Sequence, residues 1–175
     1  GTFTPSISLE SLSNVLTLAA TYTDIAGNSG PSATSDPYAI DTTPPTVVSF
    51  TISDNSLTVG ETATVTLTFS EPVTDFSSAA DITAQNGTLT GMTSLDNGIT
   101  WTGTFTPSIS LESLSNVLTL STNYTDLAGN SGPSATSPNY AIDTIPPTVV
   151  SFTISDISLT VGETATVTLT FSESV

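Results

Sequence analysis

Shifted by 102 residues, the chain lies on top of itself. Residues 1–73 align with 103–175 without a gap, and only positions 19, 20, 21, 25, 36, 37, 43, 55 and 72 differ from their counterparts. Near-identity of this kind means that the repeat is duplicated as a unit. A period of about 100 residues is that of a domain, and is too long for a solenoid repeat such as an ankyrin. The chain is therefore read as a tandem array with cuts at "DTTPPTV" (41–47) and "DTIPPTV" (143–149). Paired prolines there give a stiff, extended connector that donates no strand hydrogen bonds. Residues 1–43 are then the C-terminal part of one repeat, 44–145 a complete repeat, and 146–175 the N-terminal part of the next. Because the sequence begins and stops in mid-pattern, it is expected to be a piece of something longer.

Inside the complete repeat the alternation has a period of two, and no helical stripe is present. In "TATVTLTFS" (62–70), Ala63, Val65, Leu67 and Phe69 point one way and the Thr and Ser residues the other. In "ITWTGTFT" (99–106), Ile99, Trp101 and Phe105 face inward, which makes Trp101 a core residue in place of a ligand platform. The pattern predicts seven strands, at 46–53, 62–70, 80–84, 87–94, 99–106, 117–125 and 138–142. "QNG" (85–87) and "DNG" (96–98) read as hairpin turns, because Asn and Gly tolerate positive φ. Seven alternating strands in about 100 residues predict an all-β fold, a row of tandem Ig-like β-sandwich modules.

Charge restricts the chemistry. The chain has 16 Asp plus Glu and no Lys, Arg or His, a formal net charge of −16. Nothing in it neutralises phosphates, so nucleic-acid binding is excluded, and docking on anionic lipid is disfavoured for the same reason. No stretch has the length and apolar character of a membrane span. Without His or Cys there is no Ser-His-Asp or Cys-His arrangement and no thiolate or imidazole zinc site. Carboxylate pairs remain, but no convergent acid pair in a cleft can be argued, so the chain is not expected to be an enzyme. Hard cations that prefer oxygen, above all Ca²⁺, are the natural counter-charge. The absence of cysteine fits a secreted protein that does not depend on disulfides. The triplets "NGT" (86–88) and "NYT" (123–125) match the glycosylation acceptor pattern, a short match of low specificity.

The stretches "LTVGETATVTLTFSEPVTDFSSAADI", "NGTLTGMTSLDNGITWTGTFTP", "YTDLAGNSG" and "YAIDTIPPTV" resemble the bacterial Ig-like repeats of large RTX-type surface adhesins. The resemblance spans essentially the whole chain. It implies extender domains strung in rows between a cell-surface anchor and a terminal binding region, with Ca²⁺ at the domain junctions stiffening the row. The chain lacks the glycine-rich RTX nonapeptides, so it corresponds to the stalk.

A topological argument distributes the acids independently of that resemblance. If seven strands run strictly up and down, loops alternate between the two poles of the sandwich. The upstream pole then carries Asp41, Glu71, Asp75, Asp96, Asp126 and Asn130. The downstream pole carries Asp54, Glu61, Glu112 and Asp143, and Asp81, at the start of a predicted strand, falls at neither. Head-to-tail stacking would crowd carboxylates into each junction with no basic residue to pair them. Two like charges ~6 Å apart in water repel by about 0.7 kcal/mol. A cation held by six to eight oxygens would reverse that sign.

For the first junction the expected ligands are Asp41, Glu71 and Asp126; for the second, Asp143 and Glu173. Asp24, the twin of Asp126, together with Asp75 and Glu61, completes the candidate metal set. Turn chemistry is the competing reading: in Asp-x-x-Gly-Asn the Asp and Asn side chains cap local amides and Gly takes positive φ. Asp54, Asp75 and Glu61 are equally explained as solubilising surface acids, and Glu10 and Glu112 read as surface acids.

The expected function is a Ca²⁺-stiffened extender segment of a secreted bacterial cell-surface adhesin, partnered by neighbouring repeats of the same chain. The alternatives are a subunit of an extracellular filament or surface layer completed by strand addition from other copies, and a carbohydrate-binding accessory module.

Overall fold

A computed structural model describes all 175 residues, and it is a β structure with one helical turn. The central repeat is a two-layer sandwich. Its larger sheet runs in the order Gly87–Leu89, Thr100–Pro107, Ala63–Phe69, Val47–Ile52, with Thr93–Ser94 also paired to Thr100–Pro107. The facing layer is assembled from shorter pairings. Glu112–Asn116 lies beside Tyr140–Asp143 and then Ser56–Thr58, and Leu118–Leu120 lies between Ala135–Thr136 and Ile82–Ala84. Val73–Thr74 pairs with Thr125–Asp126.

The long strands fall where the alternation places them. Ala63, Val65, Leu67 and Phe69 are buried while Thr64 is exposed, so the period of two becomes one face of a sheet. Trp101 is half-buried, edge-on to Phe76 at 4.9 Å, and its Nε1 donates to the Gly98 carbonyl. "DNG" is the expected hairpin: Asn97 and Gly98 both have positive φ, joining Thr93–Ser94 to Thr100–Pro107.

Several expectations are corrected. The predicted strand 80–84 begins as a helical turn, Ser78–Asp81, and only Ile82–Ala84 is extended. Asp81 is buried, and its carboxylate accepts from the Ser77 amide and the Ser121 hydroxyl. The predicted strand 87–94 is broken at Thr90–Met92. The predicted strand 117–125 splits into Leu118–Leu120 and Thr125–Asp126, which pair with different partners. "QNG" is not a hairpin: Asn86, at φ 54, carries the chain from one layer to the other.

Four strands were not anticipated: Ser56–Thr58 and Glu112–Asn116, and the two-residue strands Val73–Thr74 and Ala135–Thr136. The first pairs with Tyr140–Asp143 in parallel, so the strands do not run strictly up and down. The second is held by buried Asn116, whose amide donates to the carbonyls of Tyr140 and Ser113.

Register fixes the two poles. Thr100 faces Thr68 at one end of the central strand pair, and Phe105 faces Ala63 at the other. The seven-residue strand Ala63–Phe69 separates these ends by roughly 23 Å at about 3.3 Å per residue. At the upstream end, Thr46 and Ser70 exchange hydrogen bonds that seat the proline linker beside Glu71.

Between the layers lies one core, including Phe50, Leu57, Val65, Leu67, Phe69, Phe105, Leu118, Tyr124, Tyr140 and Ile142. Tyr124 packs on Phe69 at 4.8 Å and Tyr140 on Phe105 at 5.1 Å. Their hydroxyls donate to the carbonyls of Pro133 and Gln85, and burial pushes both phenols up to about 12. Gly132 is obligatory here: a Cβ on it would lie 2.2 Å from the Tyr124 ring.

The repeat supplies its own control for burial. Phe105 is fully buried, whereas its twin Phe3 is 55% exposed. Phe105→Ala is therefore expected to cost about 3–5 kcal/mol, and Phe3→Ala under about 1 kcal/mol, in urea denaturation of the 175-residue chain. Equal losses would mean that the two segments are packed alike.

Candidate metal centre at the linker

Three carboxylates from distant parts of the chain meet at the upstream pole. Asp41 ends the strand Tyr38–Asp41, Glu71 sits in the turn after Ala63–Phe69, and Asp126 ends Thr125–Asp126. One oxygen of each lies within 4.8 Å of the others. Asp126 is 1% exposed, and the other two are half-buried. The three acids can hold a metal ion.

Both aspartates accept hydrogen bonds from their own turns. Asp126 Oδ1 accepts the backbone amides of Ala128 and Asn130 at 2.8 and 2.9 Å, closing the "DLAGN" turn. Its Oδ2 takes the Asn130 side-chain amide at 2.8 Å. Asp41 Oδ1 accepts the Thr43 amide at 3.1 Å, an Asx-turn that starts the linker. Asn130 Nδ2 also reaches the Asp41 carbonyl at 3.4 Å, so the amide of the 126–130 turn bridges the linker and the central repeat.

Asp24 separates turn from cluster. It makes the same turn, accepting the Asn28 amide at 2.8 Å and the Asn28 side chain at 2.9 Å, yet it is exposed and no other acid converges on it. The Asn28 hydrogen bonds hold its carboxyl below the ordinary aspartate value. The turn therefore forms without the cluster, and the cluster arises from what the junction adds.

The electrostatics are unbalanced. Burial raises the Glu71 carboxyl above its ordinary value, and Asp126, Asp41 and Glu10 raise it further. Burial also acts to raise Asp126, but hydrogen bonds from the Asn130 side chain and the amides of Asn130, Ala128 and Gly129 outweigh it and hold Asp126 low. Two unit charges 4.8 Å apart repel by about 0.9 kcal/mol in water and by about 3.5 kcal/mol at an effective dielectric of 20. No lysine, arginine or histidine exists to offset this.

The remaining candidates lie elsewhere. Asp143, on an exposed strand end, accepts the Ile145 amide at 3.2 Å, and Glu173 is exposed after Val167–Phe171; neither belongs to a cluster of three acids. Glu61 Oε2 accepts the Thr58 amide and hydroxyl at 2.8 and 2.9 Å, and Asp54 accepts the Ser56 amide, so both shape turns. Asp75 stands at φ 58, outside the cluster.

Glu10 is the residue that sequence reasoning missed. It pairs in register with Asp41 across Glu10–Asn14 and Tyr38–Asp41, just as Glu112 pairs with Asp143. "ESLSN" has no alternating apolar signature, so nothing in the letters placed Glu10 opposite the linker.

Residues 41–142 match the family model of the bacterial Ig-like domain, more than half of the chain. The chain belongs to the bacterial Ig-like domain family. The matched span opens on Asp41, so this acid belongs to the bacterial Ig-like unit as well as to the linker. As a bacterial Ig-like protein it is structural and not an enzyme. No curated protein matches the sequence. A solved structure, "Crystal structure of the S-layer protein rSbsC(31-844)", aligns at 19% identity with a TM-score of 0.34, covering 66% of this chain and 16% of that one.

The two shifted acids make opposite pH predictions for the metal-free chain. Glu71 is raised in the folded state, so its contribution is present below the ordinary value of 4.5 and is lost as pH rises through its folded value. Asp126 is depressed, so its contribution is present above 3.8 and is lost as pH falls through its folded value. Glu71→Gln is therefore expected to raise Tm at pH 7 by about 4–8 °C, the effect of roughly 1 kcal/mol in a domain of this size. The gain should vanish below pH 4.5, as calorimetry across pH in chelator would show.

Proposed function

We propose that the chain is an extender segment of a large, secreted, RTX-type bacterial surface adhesin, stiffened by Ca²⁺ at the junctions between Ig-like repeats. The units are 1–43, 44–145 and 146–175, and each junction joins one repeat to the next. The observation that carries this reading is the meeting of Asp41, Glu71 and Asp126 across a linker, in a chain with no cationic side chain.

The donor set fits the ion. All three side chains offer hard carboxylate oxygens, and no nitrogen or sulfur donor is present. At Ca–O distances of 2.3–2.6 Å, two ligand oxygens lie at most about 5.2 Å apart, so any spacing up to 4.8 Å is accommodated. A Mg²⁺ shell spans at most about 4.2 Å and accepts only part of that range. When bound, the ion supplies two positive charges against three negative ones. Asp41 would then tether the linker, Asp126 the 126–130 turn, and Glu71 the turn after Ala63–Phe69. Asp143 and Glu173 supply the same two acids at the second junction.

The mechanical consequence is a row that resists bending at its linkers. The long strands Ala63–Phe69 and Thr100–Pro107, of seven and eight residues, make each module about 25 Å long at about 3.3 Å per residue, so stacked copies project a distal domain away from the cell. Identical modules with threonine-rich faces suit a spacer, which needs length more than recognition.

Melting the 175-residue chain with Ca²⁺ and then with chelator tests this. At 100 times Kd the ion should add about 2.7 kcal/mol of stability to the junction. Asp126→Asn, which keeps a turn-forming acceptor, should lose most of that shift, whereas Asp54→Asn should retain it. Small-angle scattering should show a longer, narrower particle in Ca²⁺. If Ca²⁺ changes neither stability nor length, the junction-ion reading is wrong.

A further inference from the structure

Between two repeats the chain is fixed on both sides, and on the side of the outgoing repeat a threonine fixes it. In the complete repeat, Thr144 is 3% exposed and directly follows the strand Tyr140–Asp143. Its amide donates to the Leu111 carbonyl at 2.8 Å, and its hydroxyl accepts the Leu111 amide at 3.0 Å. The hydroxyl proton is shared between the carbonyls of Ser108 and Leu111, at 2.8 and 3.1 Å. Thr42, its twin, makes the same contacts with Ser6 and Leu9.

The loop is shaped around this hydroxyl. Ser110, between the residues that Thr144 binds, stands at φ 56, and its twin Ser8 at φ 54. That left-handed conformation is costly for serine unless the surroundings hold it. Leu111 packs against the core, so the threonine clips the outgoing linker to the body of its repeat.

The incoming repeat takes hold only a few residues later. Thr46 and Ser70 exchange two hydrogen bonds of 2.9 Å, and Thr148 and Ser172 do the same at the second joint. Residues 43–45 at one joint and 145–147 at the other are all that lie between the fixed points. Their freedom is small. Both prolines have fixed φ, and a residue before a proline is held extended. The first amide of the three is tied back to the preceding aspartate, Thr43 to Asp41 and Ile145 to Asp143. The ψ of the second proline is then the one torsion without a restraint.

We infer that Thr42 and Thr144 are the positioning residues of the joint, setting the direction in which one repeat follows the next before any ion binds.

The second joint separates this role from the acids. Clip and three-residue span are the same there, although Asp143 and Glu173 belong to no cluster of three acids. The inference goes beyond the proposed Ca²⁺ reading, because a cation would act on a joint that already points one way. Releasing Thr144 would free its φ and ψ, raising the unrestrained torsions from one to three. Valine has the shape of threonine but leaves the Leu111 amide without its acceptor, whereas serine keeps the hydroxyl.

Distances between nitroxide spin labels, read by double electron–electron resonance in chelator, test this. The chain has no cysteine, so Thr104→Cys with Thr168→Cys places labels at exposed strand positions on either side of the second joint. The expected starting result is one narrow distance distribution. Thr144→Val should widen it about 1.7-fold, the square-root scaling of three free torsions against one. Thr144→Ser should keep the starting width. Pro146→Gly with Pro147→Gly, at two exposed positions, should widen it at least as much and leave the main melting transition unchanged. Thr42 lies outside the core of the central repeat. Thr42→Val, with labels at Ser13→Cys and Thr104→Cys, therefore repeats the measurement at the first joint should Thr144→Val fail to fold. A starting distribution as wide as that of the Pro146 and Pro147 variant, or a width that the threonine-to-valine changes leave unaltered, overturns the inference. Every arm is run without Ca²⁺, so the outcome is separate from that of the Asp41 melt.

Discussion

The pairing of Ala63–Phe69 with Thr100–Pro107 is the constraint on which the other features depend. Six register positions hold the two strands together and turn Val65, Leu67 and Phe105 onto one face. That face demands a second layer, because a sheet with one apolar side is stable only when the side is covered. Leu118, Tyr124, Tyr140 and Ile142 supply the cover. The same pairing fixes where the loops emerge. Phe69 leads into Glu71 at the pole where the linker arrives, and Tyr124 brings Asp126 to the same place. Where the pairing is missing, at Val167–Phe171, the strand shortens and its apolar residues stand in solvent.

The long strands were legible because their signal is local. "TATVTLTF" alternates over the whole length of a strand, and burial follows the letters. The short strands were not legible, for a different reason. "SLT" and "ESLSN" are too brief or too polar to carry a period, and they extend only because Tyr140–Asp143 offers them an edge. The helical turn at Ser78–Asp81 was hidden likewise: Asp81 earns its burial through Ser77 and Ser121, the latter forty residues away. A strict up-and-down order was the wrong topology, yet it grouped Asp41, Glu71 and Asp126 correctly. Inserting Ser56–Thr58 and Glu112–Asn116 adds to the downstream side and leaves the loops at the upstream pole where they were. Glu10 escaped because its position depends on Glu10–Asn14, the twin of Glu112–Asn116 and as short and polar.

At Asp126 the two readings that the sequence left open turn out not to compete. One carboxylate oxygen serves the turn amides and the other the Asn130 side chain, while the same carboxylate lies within the acid cluster. A turn of this kind costs nothing at the junction and holds the carboxylate in place before any ligand arrives. Asp24 makes the same turn in solvent, which shows that the loop needs neither burial nor neighbours. What distinguishes Asp126 is company: a linker that starts at Asp41 and a turn that carries Glu71. Hydrogen bonds keep Asp126 ionised, while burial and like charge push Glu71 toward its proton. An ionised anchor beside a frustrated acid is a pair whose balance an external cation would change.

The missing lysines and arginines fit this logic. A basic side chain at the junction would satisfy Asp126 from within the chain and offset the like charge that raises Glu71. Withholding it leaves the junction dependent on its surroundings. One-signed charge also acts on a hazard peculiar to near-identical neighbours. Tandem domains of matching sequence misassemble by exchanging equivalent strands, and here the exchangeable strands agree at all but nine of 73 aligned positions. Repulsion between negative modules opposes close approach while the chain is folding, and salt or a divalent ion relaxes it afterwards. The charge that makes the junction costly when empty of partners is thus the same charge that keeps copies apart until each has closed its own core.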